Sequence, residues 1–134
     1  MHKEEQKLFS ELIAIVAQLR GPQGCLWDKK QTLQSMVVNL IEEAQEVKEA
    51  VDKENYQNLC EELGDLLMDI LLEIQIAYEA GLFDYCQVLS AVKEKFIRRH
   101  PHVFGEVQVN SPEEALKVWK KMKEIENDNK KNDK

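Results

Sequence analysis

Apolar residues recur at helical spacing along most of the chain, with polar residues on the intervening faces. Val37, Leu40, Ile41, Ala44, Val47 and Val51 fall on one face at about 100° per residue. Leu59, Leu63, Leu66, Leu67, Ile70, Ile74 and Ala77 make a second stripe. This pattern predicts two helices joined at Asp52–Asn55. A first helix is expected from about Lys3 to Arg20, with Leu8, Leu12, Ile15, Val16 and Leu19 on one face. Gly21, Pro22 and Gly24 end it, and GPQGCLWDKKQT reads as an ordered loop. Thr32 or Ser35 can cap the helix that follows, and Asn55 the next, which should stop near Gly81.

Asp84 with Gln87 resembles a capping box for a helix carrying Val88, Leu89, Val92, Phe96 and Ile97. VFGEVQVN is expected to be a loop. Ser111-Pro112-Glu113-Glu114 starts a last helix running through Trp119 to about Ile125. The expected fold is all-α, a bundle of about five helices without internal repeats. Residues 1–126 form one domain in this reading, and 127–134 a disordered tail.

The two central helices carry acids beside their apolar stripes. Glu43 and Glu46 lie on neighbouring turns of the first, and Glu62, Asp65 and Asp69 form a row at i, i+3 and i+7 on the second. Like charges at such spacing repel by roughly 0.2–0.5 kcal/mol per pair. Only Lys48 and Lys53 lie near Glu42, Glu43, Glu46 and Glu49 in sequence. Antiparallel packing can bring the two rows together, where a hard cation bound by oxygen ligands, Mg²⁺ or Mn²⁺, would relieve them. Two Glu-rich helices with their acids in water would give the same spacing. Asp69 stands in LLMDILLEI, a segment apolar nearly all round, where an acid needs a partner. Gly64, inside the same helix, suggests a close approach to another backbone or a ligand.

Charge and composition narrow the partners. A net charge of −7 argues against a general nucleic-acid binder, because neutralising phosphates takes a basic surface. No apolar run suits a signal peptide or a bilayer span, so no membrane partner is expected. Cys25, Cys60 and Cys86 suit neither a disulfide framework nor a zinc site, and a reduced cytoplasmic compartment is the simplest expectation. The acidic helices lack the Glu-x-x-His pairs of di-iron bundles, which favours Mg²⁺-dependent hydrolysis over oxygen chemistry.

A polyanionic ligand would also need cations, and Lys95, Arg98 and Arg99 form the best cluster. The dipole at a helix C-terminus favours the same residues without any ligand. Trp27 can stack on a nucleobase or pin its loop to the core, and Trp119 fits a core or interface position. His100 and His102 flank Pro101 and read as turn residues.

Together these segments resemble the MazG family of nucleoside triphosphate pyrophosphohydrolases, within the all-α NTP pyrophosphatase superfamily. The family pattern Glu-Glu-x-x-Glu, a gap, then Glu-x-x-Asp is met by Glu42, Glu43, Glu46, Glu62 and Asp65. LRGPQGCLWDKKQT, EELGDLLMDILLEIQIAYEAGLFD, EKFIRRHPHVFGEV and VWKKMKEIE resemble its other segments, from about Leu8 to Glu126. Leu26 departs from the pattern, standing where the family usually has proline. The best-known members carry two such domains in tandem, and this chain resembles the N-terminal copy as a stand-alone form.

The resemblance implies Mg²⁺-dependent hydrolysis of a nucleoside triphosphate between the α- and β-phosphates, to a monophosphate and pyrophosphate. It implies Glu43, Glu46, Glu62 and Asp65 as metal ligands, and Glu42 or one of those ligands as the base. Lys95, Arg98 and Arg99 would then neutralise the phosphates, and Trp27 would contact the base. It also implies a homodimer in which the acidic helices of two subunits build one four-helix core. A dUTP- or dCTP-selective pyrophosphatase, and a non-catalytic helical dimerisation or regulatory module, remain as alternatives.

Overall fold

The computed structural model describes residues 1–132. Their helices, in order, are α1 (Lys3–Leu19), α2 (Leu26–Lys30), α3 (Leu33–Asp52), α4 (Tyr56–Glu79), α5 (Tyr85–Arg99), α6 (Pro101–Phe104) and α7 (Pro112–Asn132). No strand occurs among the described residues, as an all-α pattern requires. Seven helices replace the expected five, because two segments read as loops contain single turns. In α2, Asp28 in the first turn and Lys29 and Lys30 in the last complement the helix dipole. Proline at the first position, where no amide hydrogen is needed, starts α6.

Met1–Tyr85 form one compact unit, and a second begins at Cys86. In the first unit α3 and α4 make a helical hairpin, and α1 packs on α4. The hairpin turn takes three residues. α3 ends with Glu54 in the left-handed region (φ 53°), while the amide of Asn55 donates to Ala50 O and that of Glu54 to Val51 O. These are the closing bonds of a Schellman motif, here with glutamate where glycine usually sits. Asn55 then caps α4, its side-chain oxygen accepting from the amide of Asn58 at 3.2 Å. At the other end of the hairpin Thr32 and Ser35 cap α3 reciprocally. α4 stops at a second Schellman motif built on Gly81 (φ 74°).

The core of this unit joins Val16 of α1, Met36 and Ala50 of α3, and Leu71, Leu72, Ile74, Ile76 and Ala77 of α4. Gln75 is buried among them, and its polar atoms are satisfied. Its amide donates to Glu79 and its oxygen accepts from the Tyr85 hydroxyl. Arg20 ties three segments together. It donates to both carboxylate oxygens of Glu79 and to the carbonyls of Asp28 and Gln31. Burial raises the affinity of Glu79 for a proton, but the bonds from Arg20 and Gln75 outweigh it and hold the carboxyl below its ordinary range. Gly24 permits the tight loop before α2, where a β-carbon would lie 2.0 Å from Leu19 O.

Gly64 has no close neighbour within its own chain. A β-carbon there would meet nothing within 4 Å, so no close approach within the chain requires it.

In the second unit, Ser111 caps α7 by accepting from the amide of Glu114 at 3.1 Å. α7 continues as helix through Asn132 instead of ending near Ile125, so residues 127–132, expected as tail, are helical. Lys130 and Lys131 in the last turn complement the helix dipole. Asp133 and Lys134, the end of the expected tail, lie outside the described residues.

Candidate metal centre

The short turn between α3 and α4 brings the two acidic rows face to face. One ligand oxygen each from Glu43, Glu62 and Asp65 lies within 4.8 Å of the others. Glu43 and Glu62 are half-buried, while Asp65 is exposed. Glu46, exposed on α3, has its carboxyl beside that of Glu62. The four acids of the expected ligand set therefore converge.

Carboxyls this close cannot all ionise cheaply. Burial raises Glu43 above its ordinary value, and the charges of Glu46, Asp65 and Asp69 add to the effect against a hydrogen bond with Glu62. Glu46 is raised chiefly by its contact with Glu62. Glu62 lies between the two. Its bond with Glu46 lowers it, but the bond with Glu43, burial and the neighbouring charges leave it raised. Glu43 Oε2 and Glu62 Oε2 are buried without a hydrogen-bond partner. Orphaned oxygens in an all-carboxylate donor set fit a hard divalent cation such as Mg²⁺. Lys48 does not relieve the cluster, because it pairs with Asp52 one turn on.

The acidic row continues past the cluster. Asp69 and Glu73 on α4 are half-buried, and burial raises both carboxyls. Asp69 Oδ2 and Glu73 Oε1 also lack partners. The sequence flags Asp69 through its apolar surroundings. Glu73 stands in the same apolar segment, four residues after Asp69, and the same signal could have found it.

The other expected site residues lie elsewhere. Glu42, beside Glu43, is exposed. Trp27 is 54% exposed on α2, and Arg20 anchors α2 beside Glu79. Glu79 stands 17 residues after Glu62 on the same helix, roughly 25 Å along its axis.

Lys95, Arg98 and Arg99 belong to the second unit. Lys95 is exposed. Arg98 and Arg99 converge on Glu126, at 2.5 Å and 2.7 Å, and the paired guanidinium groups hold that carboxyl down at about 2. The Arg99 guanidinium also lies 5.2 Å from the centre of the Trp119 ring, and Lys123 Nζ 5.3 Å from it. Glu126 and Lys123 are partners that sequence spacing alone does not reveal, because they lie on another helix.

The model of the MazG nucleotide pyrophosphohydrolase domain matches residues 31–104, a span that contains both acidic rows and the Lys95–Arg99 run. The chain is 46% identical over 129 residues to the nucleoside triphosphate pyrophosphohydrolase/pyrophosphatase MazG of Thermotoga maritima, covering 96% of this chain and 49% of that protein. It is 39% identical over 113 residues to the nucleoside triphosphate pyrophosphohydrolase of Escherichia coli K12, covering 84% and 43%. The Bacillus subtilis protein YabN is 45% identical over 127 residues, 92% of this chain and 26% of that one. The chain thus spans about half or less of the length of these curated relatives. The crystal structure of a mazG-related protein from Thermotoga maritima superposes with a TM-score of 0.73 at 36% identity, covering 86% of this chain and 98% of that one.

Proposed function

The chain belongs to the MazG nucleotide pyrophosphohydrolase family, and from that premise we propose that it hydrolyses nucleoside triphosphates between the α- and β-phosphates. The observation that carries this reading is the meeting of Glu43, Glu62 and Asp65 across the α3–α4 hairpin. These three, with Glu46, would hold Mg²⁺, for which Mn²⁺ can substitute. A bound Mg²⁺ supplies charge neutralisation at the phosphoryl oxygens and a more acidic water.

The balance of the reaction is simple. Water oxygen bonds to the α-phosphorus, and the bridging bond to the β-phosphate breaks. Its electron pair leaves with pyrophosphate, and a nucleoside monophosphate remains. The water's proton passes to a carboxylate, either exposed Glu42 or a member of the cluster, where raised proton affinity suits a base. Lys95, Arg98 and Arg99 are the proposed phosphate-binding groups. Phosphate would compete with Glu126 for the two arginines.

A homodimer is part of the same proposal. Val37 and Ile41 on α3 and Leu63 and Ile70 on α4 are 42%, 62%, 50% and 39% exposed, an apolar surface that favours a partner. Sedimentation analysis tests it, with a monomer at micromolar concentration as the contrary result.

The activity is tested by ³¹P NMR of the products from a panel of ribo- and deoxynucleoside triphosphates with Mg²⁺. Monophosphate and pyrophosphate are expected, and both should vanish in a folded Glu43→Gln, Glu62→Gln double variant. A diphosphate and orthophosphate product pair overturns the reading.

A further inference from the structure

Glu126 of α7 occupies the place that an oxyanion would take between two arginines of α5. Arg98 Nε donates to its Oε1 at 2.5 Å, and Arg99 Nε and Nη2 donate to its Oε2 at 3.0 Å and 2.7 Å. One carboxylate thus bridges two guanidinium groups with one oxygen on each, as two oxygens of a phosphate group can. Lys123, three residues before Glu126 on the same helix, lies against the same Trp119 ring as Arg99 and adds a third cation.

No apolar core locks the two helices around this bridge. No described residue of α5 or α7 is buried, and Val118, Trp119 and Met122 of α7 are only half-buried. A packed core resists separation, whereas charged groups can exchange one partner for another. A carboxylate carries one negative charge and a bound pyrophosphate group more than one, so Coulomb attraction favours the phosphate at the same arginines.

We infer that Glu126 is a built-in competitor of the phosphates, a latch that closes on Arg98 and Arg99 when no phosphate is bound and releases them when one is. The inference rests on the proposed pyrophosphohydrolase reading and adds to it a route for product exit. Triphosphate displaces the carboxylate and frees the last turns of α7 from α5. After hydrolysis the carboxylate returns to the arginines and drives pyrophosphate off. The product is therefore held less tightly than two unpartnered arginines would hold it.

The test measures binding apart from turnover. Calorimetry with Mg²⁺ compares inorganic pyrophosphate binding by the wild type, Glu126→Gln and Glu126→Ala, each shown to be folded by circular dichroism. A latch closed about nine-tenths of the time weakens binding about tenfold, so both variants should bind pyrophosphate about tenfold more tightly. Hydrogen exchange on the wild type gives a second reading that needs no variant. Amides in the last two turns of α7 should exchange faster with pyrophosphate bound than without it. Pyrophosphate binding that is weaker or unchanged in the variants, or undetectable in all three proteins, overturns the latch. So does exchange in α7 that is unchanged or slowed by pyrophosphate. Tighter binding by the variants without turnover of any triphosphate by the wild type would leave the latch standing and sink the catalytic reading alone.

Discussion

The carboxyls of Glu43 on α3 and Glu62 on α4 face each other, with oxygens within 4.8 Å, across a hairpin whose turn is only three residues long, and an oxygen of each is buried without a hydrogen-bond partner. A protein gains nothing in stability from holding acids in this way. The arrangement makes sense as a binding site kept ready, with its repulsion offset when a cation enters.

The first consequence is a pH dependence of unusual sign. Glu43, Glu46, Glu62, Asp69 and Glu73 all bind protons more tightly in the folded chain than their ordinary values imply. Folded protein therefore holds more protons than unfolded, and stability falls as pH rises from about 4.5 through the raised values. Metal-free protein should melt at a lower temperature at pH 7.5 than at pH 5.5. Saturating Mg²⁺ should remove most of the difference, with a gain of about 2.7 kcal/mol at a hundredfold excess over Kd. Scanning calorimetry with EDTA or Mg²⁺ checks this, and a melting point that rises with pH in EDTA contradicts it.

Glu126 has the opposite sign. Its carboxyl, held at about 2 by Arg99 and Arg98, contributes stability that is full above about 4.5 and lost as pH falls towards 2. Arg99 and Glu126 side chains are each only 11% exposed. Removing one partner of a buried pair costs roughly 3–5 kcal/mol, and this partly open pair should lose about 2–3 kcal/mol in Glu126→Ala. Urea unfolding followed by far-ultraviolet circular dichroism measures it.

Much of the hairpin was legible in sequence. Two apolar stripes of period 3.6, capping residues at Thr32 and Asn55, and acids three apart suffice to place Glu43 opposite Glu62 once the helices pack antiparallel. The short α2 was not legible, because five residues are too few for a periodic signal. The pairing of Arg98 and Arg99 with Glu126 depends on a contact 27 or more residues away. At Gly64 the chain leaves open space, so a close approach there would have to come from a ligand or a second copy.

That glycine gives a third prediction. Gly64→Ala meets open space within the chain and should stabilise α4 by up to about 1 kcal/mol. Thermal melting measures the gain at concentrations where the protein is monomeric. A destabilised monomer contradicts the account.

Glu54 gives a fourth. It holds a left-handed conformation that costs a side-chain-bearing residue roughly 1 kcal/mol. Glu54→Gly should raise stability by a few tenths to about 1 kcal/mol, the relief partly offset by greater freedom of the unfolded chain. A loss of stability in chemical denaturation would mean that Glu54 makes a compensating contact.

The central claim is that the α3–α4 carboxylates direct water to the α-phosphorus. Hydrolysis of a triphosphate in H₂¹⁸O with Mg²⁺, followed by mass spectrometry of both products, tests it most directly. The account predicts one ¹⁸O in the nucleoside monophosphate and none in pyrophosphate. Label in pyrophosphate would put the attack at the β-phosphorus and contradict it.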